Sequence, residues 1–134
     1  MTQEEKQLLL KDLSSRLHYG VKVQTKALGG STTEGILWSI EYNETGTFIF
    51  HKNSLLGYSI NEDIIKPYLR PMSSMTEEEI NEYKHFVAFS GNPIGSANFI
   101  DWLNKHHFDY RGLIEKDLAL EAKEGMYNIK ENKL

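Results

Sequence analysis

Apolar residues near the start of the chain recur at helical spacing: Leu9, Leu10, Leu13 and Leu17 form one stripe. Thr2 and Glu5 stand at capping-box spacing before it. Tyr19-Gly20 closes the segment, since Gly20 can take the left-handed conformation that ends helices. From Val21 the period drops to two. Val21, Val23, Thr25 and Ala27 alternate with Lys22, Gln24 and Lys26, as in a strand with one wet face. After the turn cluster Gly29-Gly30-Ser31-Thr32, Ile36, Trp38, Ile40 and Tyr42 alternate with Leu37, Ser39 and Glu41. Asn43-Glu44-Thr45-Gly46 then connects to a returning strand, Thr47-Phe48-Ile49-Phe50-His51. Connections this short leave no room for crossovers and predict an antiparallel meander. Ser54 to Ser59 reads as a loop with a short fourth strand.

Asn61-Glu62-Asp63 resembles the acidic first turn of a helix through Ile64-Ile65-Lys66, which Pro67 limits to about one turn. Tyr68-Leu69-Arg70, lying between Pro67 and Pro71, is then extended and suits a sheet edge. Ser73 and Ser74 have the character of cap residues, and Thr76-Glu77-Glu78-Glu79 is a second capping box. Behind it Ile80, Tyr83, Phe86 and Val87 make a stripe expected to be buried. Ser90 to Gly95 breaks the chain, and Ser96 is placed to cap a third helix with Phe99, Ile100, Leu103 and His107 on one face. Leu113 to Ala122 fits a short helix or a strand, and Glu124 to Leu134 is a polar tail expected to fray. The expected fold is α+β, with an N-terminal helix on a small antiparallel meander or partly closed barrel, followed by a helical C-terminal half. Residues 1–134 read as one domain with subregions 1–72 and 73–134, because neither alone buries enough surface.

Charge narrows the function classes. Fifteen Lys and Arg stand against nineteen Asp and Glu, and the resulting −4 arises wholly after residue 70. A sequence-independent nucleic-acid binder needs surplus cations to displace counterions, so nucleic acid is disfavoured as a partner. The absence of cysteine excludes disulfides, thiolate catalysis and Cys-ligated metals. No apolar run reaches membrane-spanning length and no signal-peptide core stands near Met1, so a cytoplasmic setting is expected.

The densest group of chemically able side chains is Asp101, His106, His107 and Asp109, with Trp102, Tyr110 and Arg111 interleaved. On a helix His106 points about 100° away from His107, so the pair does not converge on one ion. Asp101 and Lys105 have the spacing of a surface ion pair. A metal-dependent or His/Asp hydrolase would need these groups to meet a distant partner such as His51 in a concave site. His18 and His85 carry no ligand spacing, and the serines lack a nucleophile-elbow setting. No cofactor motif is present, so neither cofactor nor metal is expected. Gly91 and Gly95 bracket a helix entry, which could hold an anion but more simply forms a loop. Trp38, Tyr42, Phe48 and Phe50 could form a base-stacking platform with Lys22, Lys26 and Lys52 nearby. Aromatic residues alternating on two neighbouring strands are more simply the core under the first helix, and alternation sets Lys22 and Lys26 opposite their strand's apolar side.

Lys66-Pro67-Tyr68-Leu69-Arg70-Pro71-Met72-Ser73-Ser74-Met75-Thr76-Glu77-Glu78-Glu79 and Asp101-Trp102-Leu103-Asn104-Lys105-His106-His107-Phe108-Asp109-Tyr110-Arg111-Gly112-Leu113-Ile114-Glu115-Lys116 resemble segments of a family of short uncharacterised proteins. These occur in gut anaerobic bacteria, often in prophage or mobile-element surroundings. The resemblance implies an accessory role in the cytoplasm and carries over no functional residue. The expected function is a non-enzymatic protein-interaction or accessory module, binding another protein through Trp102, Tyr110 and Arg111, residue types that dominate binding hot spots. The alternatives are the hydrolase described above and a nucleic-acid-associated accessory protein.

Overall fold

The computed structural model describes residues 1–90 and 97–127. The Gly91 and Gly95 loop, the Ser96 cap and the tail beyond Tyr127 lie outside the described residues. Helix α1, Gln3–Arg16, starts as its sequence predicts: the Thr2 hydroxyl accepts from the Glu5 N–H at 3.0 Å, and the Glu5 carboxylate accepts from the Thr2 N–H at 2.9 Å. A 3₁₀ turn, Leu17–Tyr19, follows and ends at Gly20 with φ 75°. Strands β1 (Lys22–Lys26), β2 (Thr32–Asn43) and β3 (Gly46–His51) form the antiparallel meander, and β4 is Tyr58–Ser59.

The next segment departs from expectation. Ile64–Lys66 is not a helical turn but the start of strand β5, Ile64–Leu69, which pairs antiparallel with β1. The acidic signal survives only as a turn, in which Asp63 accepts from the Ser59 N–H at 2.7 Å. Pairing with β1 and burial of Ile65 and Leu69 in the core override that local signal. Nor is β5 an edge, because β6 (Leu120–Glu121) pairs parallel to it. The sheet runs β4-β3-β2-β1-β5-β6 and is open, so the barrel alternative falls away.

Helices α2 (Glu77–Ser90) and α3 (Ala97–Lys105) follow a 3₁₀ turn at Met72–Ser74. Thr76, rather than Ser73 or Ser74, caps α2: its hydroxyl accepts from the Glu79 N–H at 3.1 Å, and the Glu79 carboxylate accepts from the Thr76 N–H at 2.8 Å. Ile80 and Val87 are exposed, and α2 instead turns Glu79, Tyr83 and Phe86 inward. The expected helical C-terminal half stops at α3. His107, expected on that helix's apolar face, lies beyond it at φ 64°. The Phe108 N–H reaches the Leu103 carbonyl at 3.0 Å and the His107 N–H reaches that of Asn104 at 3.1 Å, a Schellman closure with histidine where glycine is usual. The Asp109 carboxylate then accepts from the Leu113 and Ile114 N–H groups at 2.8 and 2.9 Å, turning the chain towards β6.

Two apolar clusters result. One sets Leu9 and Leu13 of α1 against Val21, Val23, Leu37, Ile49, Ile65 and Leu69 on the inner face of the sheet. Full burial of each such side chain contributes about 1.5–3 kcal/mol. The other gathers Phe99, Leu103 and Phe108 with Tyr83, Phe86 and Trp102 between α2, α3 and the segment after α3. A register shift between Leu37 and Ser39 shapes the first cluster. The extra residue lets Leu37 and Ile40, three apart, both face α1. Trp38 is therefore not core, as alternation suggested, but 64% exposed on the opposite, outer face.

Candidate functional site

The polar cluster read from the sequence is spread over several settings. Asp101 is exposed, whereas Asp109 is buried and holds the turn described above. His106 presents Nδ1 to the Glu79 carboxylate at 2.9 Å. Glu79 is 1% exposed and also takes a two-pronged bond from Arg70, at 2.7 and 2.8 Å. Burial pushes its carboxyl up, but the Arg70 guanidinium, the Thr76 N–H and the His106 charge outweigh burial and hold the pKa at about 2. Arg70 further donates to the His106 and Ser74 carbonyls at 3.2 Å and lies over the Phe108 ring at 4.3 Å. A cleft of about 420 Å³ opens beside this knot, lined in part by Arg70, Thr76, Lys123 and Tyr127, yet Arg70's terminal nitrogens already have protein partners.

His107 is buried and stacks on Tyr127 with ring centroids 3.8 Å apart. Its Nδ1 has no hydrogen-bond partner. Burial, with the nearby positive charges of Arg16 and Arg70, pushes its pKa down to about 3, so the ring is neutral. His51 sits under the sheet's inner face. The Asn53 N–H donates to Nδ1 at 3.1 Å, so Nε2 carries the proton towards the Thr25 and Thr33 hydroxyls, 2.8 and 3.2 Å away. Burial lowers its pKa as well. The three histidines thus answer to different neighbours, and among the described residues no group of three or more His, Asp or Glu side chains could hold a metal ion.

The expected interface residues have internal partners too. Trp102 packs on Phe86, Phe99, His106 and Phe108, and its indole N–H donates to Glu82 at 3.0 Å. The Tyr110 hydroxyl donates to Asn104 at 2.9 Å. Arg111 lies over the Tyr110 ring and pairs with Asp12 at 2.8 Å. Asp12 is itself fully buried against Arg16, whose Nη2 reaches the Phe108 carbonyl at 2.7 Å. Sequence reasoning passed over Asp12 and Arg16, and read Arg70 only as part of an extended segment and Glu79 only as a capping acid, because charged residues on a helix or strand read as a wet face.

The outer face of the sheet has a different character. Trp38 stands open with the Lys52 ammonium 5.4 Å from its ring centre. Phe50 pairs with Ser39 and Phe48 with Glu41, which puts both rings on this face, half-buried beneath the loop before β4. Gly57 rests on them so closely that a Cβ there would stand 2.7 Å from the Phe50 ring. Leu55 and Leu56, at 98% and 79% exposure, extend the apolar surface. Tyr42 lies on the opposite face, so the expected four-aromatic platform reduces to three rings. Lys22 pairs with Ile36 and Lys26 with Thr32, so both lysines share the outer face with Trp38. Reading Trp38 as core had separated these lysines from it; the pairing of Lys22 with Ile36, two residues before Trp38, places them on one face, and the bulge returns Ile40 to the core side beyond it. No family model, curated protein or solved structure matches the chain.

Among the described residues no helix is long and apolar enough to cross a membrane.

Proposed function

We propose that this protein is a non-enzymatic binding or accessory module whose working surface is the outer face around Trp38, Phe48 and Phe50. The carrying observation is the contrast in commitment: Trp38 is 64% exposed beside Lys52, whereas Trp102, Tyr110 and Arg111 have internal partners. An exposed Trp, with Leu55 and Leu56 exposed in the loop that reaches the same face at Gly57, is the kind of surface that marks interaction sites. The accessory role in a cytoplasmic setting belongs to the same proposal. The test is capture from native-host extract on the tagged protein, reading both protein and nucleic acid. Capture lost in Trp38→Ala, with an unchanged circular-dichroism spectrum, and kept in Tyr110→Phe supports this surface. Capture that Trp38→Ala leaves intact, or no capture at all, overturns it.

A further inference from the structure

Resting on that reading of the surface, we propose that its occupant is single-stranded nucleic acid, with a base stacked on Trp38 and the backbone following the lysines along β2. The argument is one of charge and order. Along the outer face of β2, Lys26 lies opposite Thr32, Lys22 opposite Ile36, and Lys52 over Trp38, with Phe50 and Phe48 on the next strand. At about 3.3 Å per residue the path from Thr32 to Trp38 spans about 20 Å, enough for a few nucleotides.

The charges on this path are not cancelled. Among the described residues Lys22, Lys26 and Lys52 have no carboxylate within ion-pair distance; the Lys22 ammonium donates to the Met126 carbonyl at 3.1 Å and lies 6.0 Å from the Tyr127 ring centre, without a counter-charge. The acid between them, Glu34, is held by Lys123 at 3.2 Å and by the Tyr68 hydroxyl. Lys66 is neutralised by Asp117. Glu41, opposite Phe48, marks the acidic end of the path. Of the nineteen acids, Glu4 and Glu5 stand in the first turn of α1, which covers the inner face, and Glu77, Glu78 and Glu79 in that of α2. A duplex offers no free base faces, so an open indole with lysines in this order suits an unpaired strand.

The test uses fluorescein-labelled single-stranded oligomers of 12 nucleotides, one DNA and one RNA, read by anisotropy with the full chain. Three phosphate contacts should weaken binding about 20-fold between 50 and 200 mM salt. Trp38→Ala should weaken it about 10-fold or more, and Lys52→Ala should flatten the salt slope by about 0.7. Binding of either oligomer with this pattern supports the assignment, and the preferred oligomer identifies the sugar. No anisotropy change at 25 mM salt with either oligomer, or full affinity in Trp38→Ala, overturns it. Trp38-dependent capture of a protein from nuclease-treated extract, with both oligomers failing, removes the nucleic-acid occupant and leaves the binding surface standing.

Discussion

The two tryptophans lie in aromatic groups of similar composition and opposite disposition. Trp102 shares its neighbourhood with Phe86, Phe99, Phe108, His106 and the Arg70–Glu79 pair, and the polar groups there turn inward onto one another. Trp38 shares its own with Phe48, Phe50 and Lys52, and faces water. The kinds of residue present therefore do not distinguish a structural knot from a surface available to a partner. What distinguishes them is whether each donor, acceptor and ring already has a neighbour in the same chain.

The sharpest way to break this contrast is to remove a charge from the knot. Arg70→Ala leaves the buried Glu79 carboxylate without its guanidinium and should cost about 3–5 kcal/mol in urea unfolding. A loss below about 1 kcal/mol would show that the knot opens to water and is no different in kind from the outer face. Acid should act on the same region in two steps. His107 is neutral in the fold with its pKa near 3, so stability falls as pH drops from about 6.5 towards 3, while the unfolded chain takes up the proton more readily. Glu79, held at about 2, adds stability that is complete above about 4.5 and lost as pH falls towards 2, about 3 kcal/mol in all. In His107→Asn the slope of stability against pH between 6.5 and 5 should flatten; an unaltered slope would place the acid response elsewhere. The smallest effect is expected on the open side. Trp38→Ala should change unfolding free energy by no more than about 0.5 kcal/mol, as for other exposed positions. Trp102→Ala should cost about 3–5 kcal/mol. Similar losses in the two variants would erase the distinction.

Much of the first half was legible in the chain itself. The capping boxes at Thr2 and Thr76, the end of the first helix at Gly20 and the three-strand meander are written in local chemistry, and local chemistry is what spacing reports. Three things were not legible. Ile64–Lys66 became a strand because β1 lies beside it, and pairing is a tertiary fact. The helix after Ala97 ends at a histidine in the left-handed conformation, held by the bond from the Arg70 N–H to its carbonyl at 2.8 Å, where no glycine or proline announces a stop. The candidate surface was hidden for a subtler reason: the residues were noticed, but the face each strand turns to α1 depends on a single inserted position. The buried acids and bases escaped because spacing shows a pair, as Asp12 and Arg16 are four apart, but not its burial, which depends on remote groups such as the Phe108 carbonyl, 92 residues from Arg16.

The bulge between Leu37 and Ser39 also constrains how this chain can diverge. Substitutions at exposed positions such as Trp38 touch little of the core, so that surface can drift one side chain at a time at small cost in folding. The number of residues between Leu37 and Ile40 has no such freedom. Deleting one would invert the parity of the strand beyond it, turning Ile40 to water and Glu41 towards the leucines of α1. Descendants of this sequence are thus free to respell the surface but not to shorten the strand that displays it.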